Sequence, residues 1–177
     1  MLDTLITSKT RMKLLLKFFL NSKSSSYLRS LQSEFGESSN GIRIELNRFE
    51  KAGLLKTNFK GNKKLYQANT EHPLFNEIHN LLIKNLGFDQ IIDTIINKLG
   101  KLFCVCVVGD FARGKDTHII DLLFVGNSIN QEYLIKLITK TENIIKRKIR
   151  YLVFNEKEFE DYATKHDESE VLILWKE

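Results

Sequence analysis

At 177 residues, 42% of them hydrophobic and 28% charged, the chain has the composition of an ordinary soluble protein and is long enough for one large domain or two small ones. Two cysteines, Cys104 and Cys106, are too few for a disulfide framework, and a reducing cytosol suits them. The formal net charge of +5 is unevenly spread: residues 1–70 hold 13 Lys+Arg against 5 Asp+Glu, the remainder 14 against 17, which predicts a basic front half that meets a polyanion and a back half with another task.

Lys9, Arg11 and Lys13 before "LLLKFFL" imitate a secretion signal, but Lys17 interrupts a short apolar run and no small-residue cleavage site follows. No later stretch approaches bilayer length, so a cytoplasmic protein without membrane partners is expected. "SKTRMKLLLKFFL" predicts a helix opened by Ser8, with Met12, Leu15, Leu16 and Phe19 at helical spacing. A second helix is expected from Tyr27 to Phe35. In "SNGIRIELNRFEKAG" Ser38 or Ser39 can cap a third, which Gly53 ends. Ile42, Leu46 and Phe49 form its apolar stripe, and Asn40, Arg43 and Asn47 its outward face.

"LLKTNFKGNKKLYQAN" then reads as two short strands around Gly61-Asn62, with a tip of Lys60, Lys63 and Lys64. "EHPLFNEIHNLLIKNLG", with Pro73 suited to a first helical turn, and "FDQIIDTIINKLG" predict two linker helices. From Lys101 the pattern becomes strands "KLFCVCVVG" and "HIIDLLFVG", a helix, strand "KIRYLVF", a helix, and terminal strand "EVLILW". The expected class is α+β: an N-terminal domain over 1–70, linker helices over 71–98, and a small α/β domain with a mixed sheet over 99–177.

Three helices, the third polar on its outer face, followed by a basic hairpin, give the winged helix-turn-helix order. A helix fits the DNA major groove, where base edges present distinct donors and acceptors, while hairpin lysines can track phosphates. Asn40, Arg43 and Asn47 are candidate base-reading positions, Lys60, Lys63 and Lys64 candidate phosphate contacts, and Ser39 a further candidate DNA contact. "SSNGIRIELNRFEKAGLLK" with "KGNKKLYQAN" resembles the recognition helix and wing of the arsenical-resistance-repressor (ArsR-like) winged-helix family over most of residues 8–70. The resemblance implies a regulator that binds double-stranded DNA as a homodimer, and the apolar helix with Leu74, Ile78, Leu81 and Leu82 is one surface for the dimer.

"GDFARGKD" fits a P-loop as far as Lys115 and then fails, because Asp116 stands where Ser or Thr should hold Mg²⁺ and no room remains for the following helix. "VVGDFARG" followed by "HIIDLLFVG" instead resembles the minimal nucleotidyltransferase domain, with Ala112, Arg113 and Gly114 matching its helical turn and Asp121 its second metal aspartate. Nucleotidyl transfer needs carboxylates two residues apart on a strand, and a third from a neighbouring strand, to clamp two Mg²⁺ ions. Here the serine position is Asp110, the first aspartate is Ile119, and "KIRYLVF" offers no acid, so catalytic residues, metal ligands and cofactors are expected to be absent. Asp110 or Asp116 could stand in as a ligand, and Asp121 could pair with Arg113 or cap local backbone. Gly109, Asp110, Arg113, Lys115 and Asp121 are candidate positions for a small-molecule or nucleotide ligand held through its phosphate. The alternatives are an active metal-dependent nucleotidyltransferase with atypical ligands, using Mg²⁺ and a nucleotide, and an antitoxin-like interaction protein.

Metal-sensing ArsR-like proteins carry a Cys-Val-Cys site, but Cys104-Val105-Cys106 lies in a hydrophobic strand, where a buried apolar role is expected. His72, His79, His118 and His166 follow no metal-ligand spacing.

Overall fold

A computed structural model describes residues 2–95, 99–115 and 117–177. The chain is α+β and divides into two compact units, Met1–Leu82 and Ile83–Glu177.

In the first unit a short helix α1 (Leu2–Leu5) precedes α2 (Lys9–Leu15), where Ser8 accepts the Arg11 N–H and so satisfies a free donor of the first turn. The helix runs on as a π-type turn, Leu16–Leu20, in which every residue is buried. Lys17 tolerates that burial because Glu34 lies 2.9 Å from its Nζ. Phe19 packs edge-on against Phe49 at 6.4 Å, fixing this helix to the one that carries the polar face.

A three-residue strand β1 (Ser25–Tyr27) comes before α3 (Leu28–Phe35), where the sequence predicts a helix alone; so short a strand shows no legible alternation. Gly36, in the left-handed region, ends α3. Helix α4 (Ser39–Lys51) starts at Ser38, whose hydroxyl accepts the Gly41 N–H, and buries Ile42, Leu46 and Phe49. Strands β2 (Leu55–Lys60) and β3 (Lys63–Ala68) form the expected hairpin, closed by the pair Lys60↔Lys63. Gly61 has φ +59°, which a two-residue hairpin turn demands of its first central position. Because β1 also pairs with β3, the sheet is antiparallel in the order β1-β3-β2.

The boundary between the units falls within α5 (Phe75–Leu86), one of the two helices read as linkers. The other, α6 (Phe88–Ile95), buries Phe88 and Ile91 within the second unit. That unit holds a four-stranded sheet in the order β6-β5-β4-β7, made of β4 (Lys101–Val108), β5 (Ile119–Asn127), β6 (Lys148–Phe154) and β7 (Val171–Lys176). A single helical turn, α7 (Gly109–Ala112), joins β4 to β5, and α8 (Gln131–Ile145) makes the crossover to β6. Only β5 and β6 are parallel, so the sheet is mixed. Cys104, Cys106, Leu123 and Val125 line one face beneath Phe159 and Tyr162 of α9 (Glu156–Lys165), which an Asn155/Glu158 capping box opens. Among the described residues, no helix is long and apolar enough to cross a membrane.

Candidate functional site

The alternation of apolar and polar residues along α4 turns its stripe inward and exposes Asn40, Arg43 and Asn47 together on the opposite side. Ser39, the first helical residue, is half-buried. Glu45, on the flank of the helix, is 9% exposed and accepts hydrogen bonds from Arg11 at 2.9 Å and Arg48 at 2.7 Å. The Arg11 hydrogen bond holds the Glu45 carboxyl below the ordinary glutamate range, despite its partial burial.

The three hairpin lysines are not equivalent. Lys60 and Lys63 are exposed at the tip, whereas Lys64 is drawn back to Glu50 of α4 at 2.7 Å and lies over the Tyr66 ring at 5.4 Å. The Glu50 contact raises the Lys64 pKa and lowers that of Glu50. Lys64 therefore braces hairpin against helix. Between the hairpin tip and the start of α3 lies a groove of about 440 Å³, lined by Tyr27, Arg29 and Ser30 on one side and Asn62, Lys63 and Lys64 on the other. Arg29 and Ser30 escape a sequence reading because only the pairing of β1 with β3 brings the start of α3 beside the hairpin.

In the second unit, the strand β4, the turn α7 and the strand β5 bring Gly109 and Asp121 together. Gly109 has φ +70°, and a Cβ there would stand 3.1 Å from Asp121 Oδ2, so a side chain would be both strained and crowded. Asp121 is paired, but not with Arg113. It faces Arg150 across the β5–β6 ladder, whose Nε and second guanidinium nitrogen donate to its two oxygens at 2.6 and 2.9 Å. Arg113 instead reaches Glu170 at 2.6 Å, and Lys115 reaches Asp110 at 3.1 Å. Asp116 lies outside the described residues.

Three cations are thus matched one to one by three carboxylates, and this changes what the site can hold. Ile119 and Asp121, two residues apart, share one side of β5, and Arg150 occupies the cross-strand position beside Asp121. A divalent ion prefers several oxygen ligands, and these three positions offer one carboxylate, already bound to a guanidinium. These three positions alone therefore do not make the two-metal site of nucleotidyl transfer. Arg150 and Glu170 are the members that sequence alone missed; the only signal was the alternation of "KIRYLVF", which places Arg150 on the face of Lys148.

Cys104 and Cys106 are 4% and 0% exposed, with sulfurs 3.2 Å apart. Their mutual hydrogen bond pushes Cys106 up, with burial adding to the effect, and draws Cys104 down. Among the described residues, no group of three or more His, Cys, Asp or Glu is placed to hold a metal ion. His79 bonds the Phe19 carbonyl at 2.9 Å, and His166 stacks on Tyr162 at 3.9 Å.

No family model matches the chain, and no curated protein does. Among solved structures, the AF1382 protein of Archaeoglobus fulgidus is 14% identical over 55% of this chain and 100% of its own, with a TM-score of 0.37. A proposed nucleotidyltransferase of Sulfolobus solfataricus is 23% identical over 53% of this chain and 82% of its own, also at 0.37. TrmBL2, an archaeal chromatin protein with a novel mode of DNA binding, is 16% identical over 90% of this chain and 79% of its own, at 0.27. The similar structures therefore include a nucleotidyltransferase-like protein and a DNA-binding one. These scores are low, and what the chain does has to be sought in its own residues.

Proposed function

We propose that the chain is a DNA-binding transcriptional regulator, in which an ArsR-like winged helix-turn-helix domain over residues 1–70 reads double-stranded DNA. Residues 71–98 are the linker, and a nucleotidyltransferase-like domain over 99–177 serves ligand sensing, dimerisation or partner contact without catalysing transfer. The observation that carries the first part is the exposed row of Asn40, Arg43 and Asn47, set directly across α4 from its buried stripe and followed by a hairpin tip with exposed Lys60 and Lys63. Amides and a guanidinium are the groups that bond adenine and guanine edges, and lysines neutralise phosphates. Arg29 and Ser30, across the groove from Lys63, add phosphate donors from a second element.

The Asp121–Arg150 pair supports the second part, since a carboxylate committed to a guanidinium is a poor start for a two-metal site. Any ligand of this domain binds as an anion would, through the Gly109 turn, Arg113 and Lys115, by displacing Glu170 and Asp110. Leu74 and Leu81, 55% and 40% exposed, are the apolar positions of α5 and its approach that a homodimer would cover, whereas Leu82 is buried.

Two experiments test the function. Selection of bound duplexes from a random DNA pool should enrich a defined sequence, and failure to enrich any would remove the regulator. Incubation with labelled nucleotides and Mg²⁺ or Mn²⁺ should give no transfer; transfer that Asp121→Asn abolishes would make the domain an enzyme.

A further inference from the structure

We infer that Ile44 reads a thymine, packing its side chain on the 5-methyl group of a T·A pair in the major groove. This rests on the DNA-binding function proposed above and assigns it one specificity contact. An α-helix turns about 100° per residue, so Asn40, Ile44, Asn47 and Lys51, spaced four, three and four, form one ridge of α4. That ridge lies directly opposite Ile42, Leu46 and Phe49.

The three stripe residues are at most 6% exposed, but Ile44 is 45% exposed, the one apolar side chain of α4 left outside the core. Its neighbours on the ridge are amides and a lysine, with Arg43 and Arg48 to either side, so no other apolar side chain of α4 adjoins it on the outward face. A lone methyl-bearing group within a row of hydrogen-bonding side chains matches the mixed pattern of a major groove. There, thymine alone presents a methyl group, beside the acceptors and donors of adenine and guanine. Isoleucine is branched at Cβ and stiff at χ1, so little side-chain freedom is lost when it meets that methyl.

The test uses the full chain and the duplex selected from the random pool. Each thymine is replaced in turn by uracil, which keeps the base pair and removes only the methyl. One position in each half-site should weaken binding about fourfold, the worth of a single buried methyl group. Ile44→Ala, which removes the contact from both half-sites, should bind the thymine duplex about sixteenfold more weakly and show no further loss at either uracil, with unchanged circular dichroism. Ile44→Val should retain the uracil effect. If the pool enriches a sequence but no uracil weakens binding, or Ile44→Ala loses as much as the unaltered chain does, Ile44 does not read thymine and the DNA-binding function still stands. If no sequence is enriched, that function fails first and this contact with it.

Discussion

Asp121 and Arg150 stand opposite each other on the parallel strands β5 and β6, with both carboxylate oxygens bonded to the guanidinium. The Asp121 hydrogen bonds push the Arg150 pKa up, so the guanidinium keeps its charge. With Ile119 two residues before Asp121, three positions that could project carboxylates at one ion hold an isoleucine, an aspartate and an arginine. The double substitution I119D/R150D should therefore create saturable Mn²⁺ binding in a calorimetric titration, where the unaltered chain gives none. Equal binding by both proteins would show that Arg150 does not block the site.

Lys63 and Lys64 are neighbours in sequence with different surroundings, and salt dependence should separate them. Lys63→Ala should lessen the slope of log affinity against log salt by about 2, the loss of one phosphate contact from each protomer. Lys64 is already neutralised by Glu50, so Lys64→Ala should change the slope less, and Glu50→Gln should strengthen binding by freeing it. Equal slopes for the two lysine variants would contradict this division.

Glu45 ties α2 to α4 through Arg11, and its role carries a pH signature. Glu45→Gln should cost about 1–2 kcal/mol near neutral pH, a modest figure because both arginines are partly exposed to solvent. A carboxylate with a lowered folded pKa contributes stability above its unfolded value and loses it as pH falls through the folded one. The difference between the two proteins in urea unfolding should be constant above the ordinary value of 4.5 and shrink below it. A difference that does not depend on pH would mean packing, not charge, holds the contact.

Cys104 and Cys106 lie beneath Phe159 and Tyr162, so thiol reagents should modify neither in the folded chain and both in denaturant. Rapid labelling under native conditions would mean that α9 opens readily.

Most elements and the face of α4 were legible because they depend on local periodicity: Ile42, Leu46 and Phe49 announce the core side, and Gly61 the hairpin turn; the four-residue α1 was not. β1 was not, because three residues leave no pattern. The partner of Asp121 was not legible for a different reason. Arg113 is near in sequence and of the right charge, but only the β5–β6 register puts Arg150 opposite Asp121, and only the pairing of β7 with β4 brings Glu170 within reach of Arg113. Likewise the bond from Lys64 to Glu50 spans 14 residues, so a run of lysines reads as uniform until the hairpin folds back on α4.

The central claim, that the first unit binds DNA, is tested most directly by the affinity of the full chain for duplex DNA across a range of salt. Neutralised phosphates release counterions, so the affinity should fall steeply as salt rises, and the charge reversals Lys60→Glu and Lys63→Glu together should flatten that fall. Binding that is absent at low salt, or present and insensitive to salt, would contradict it.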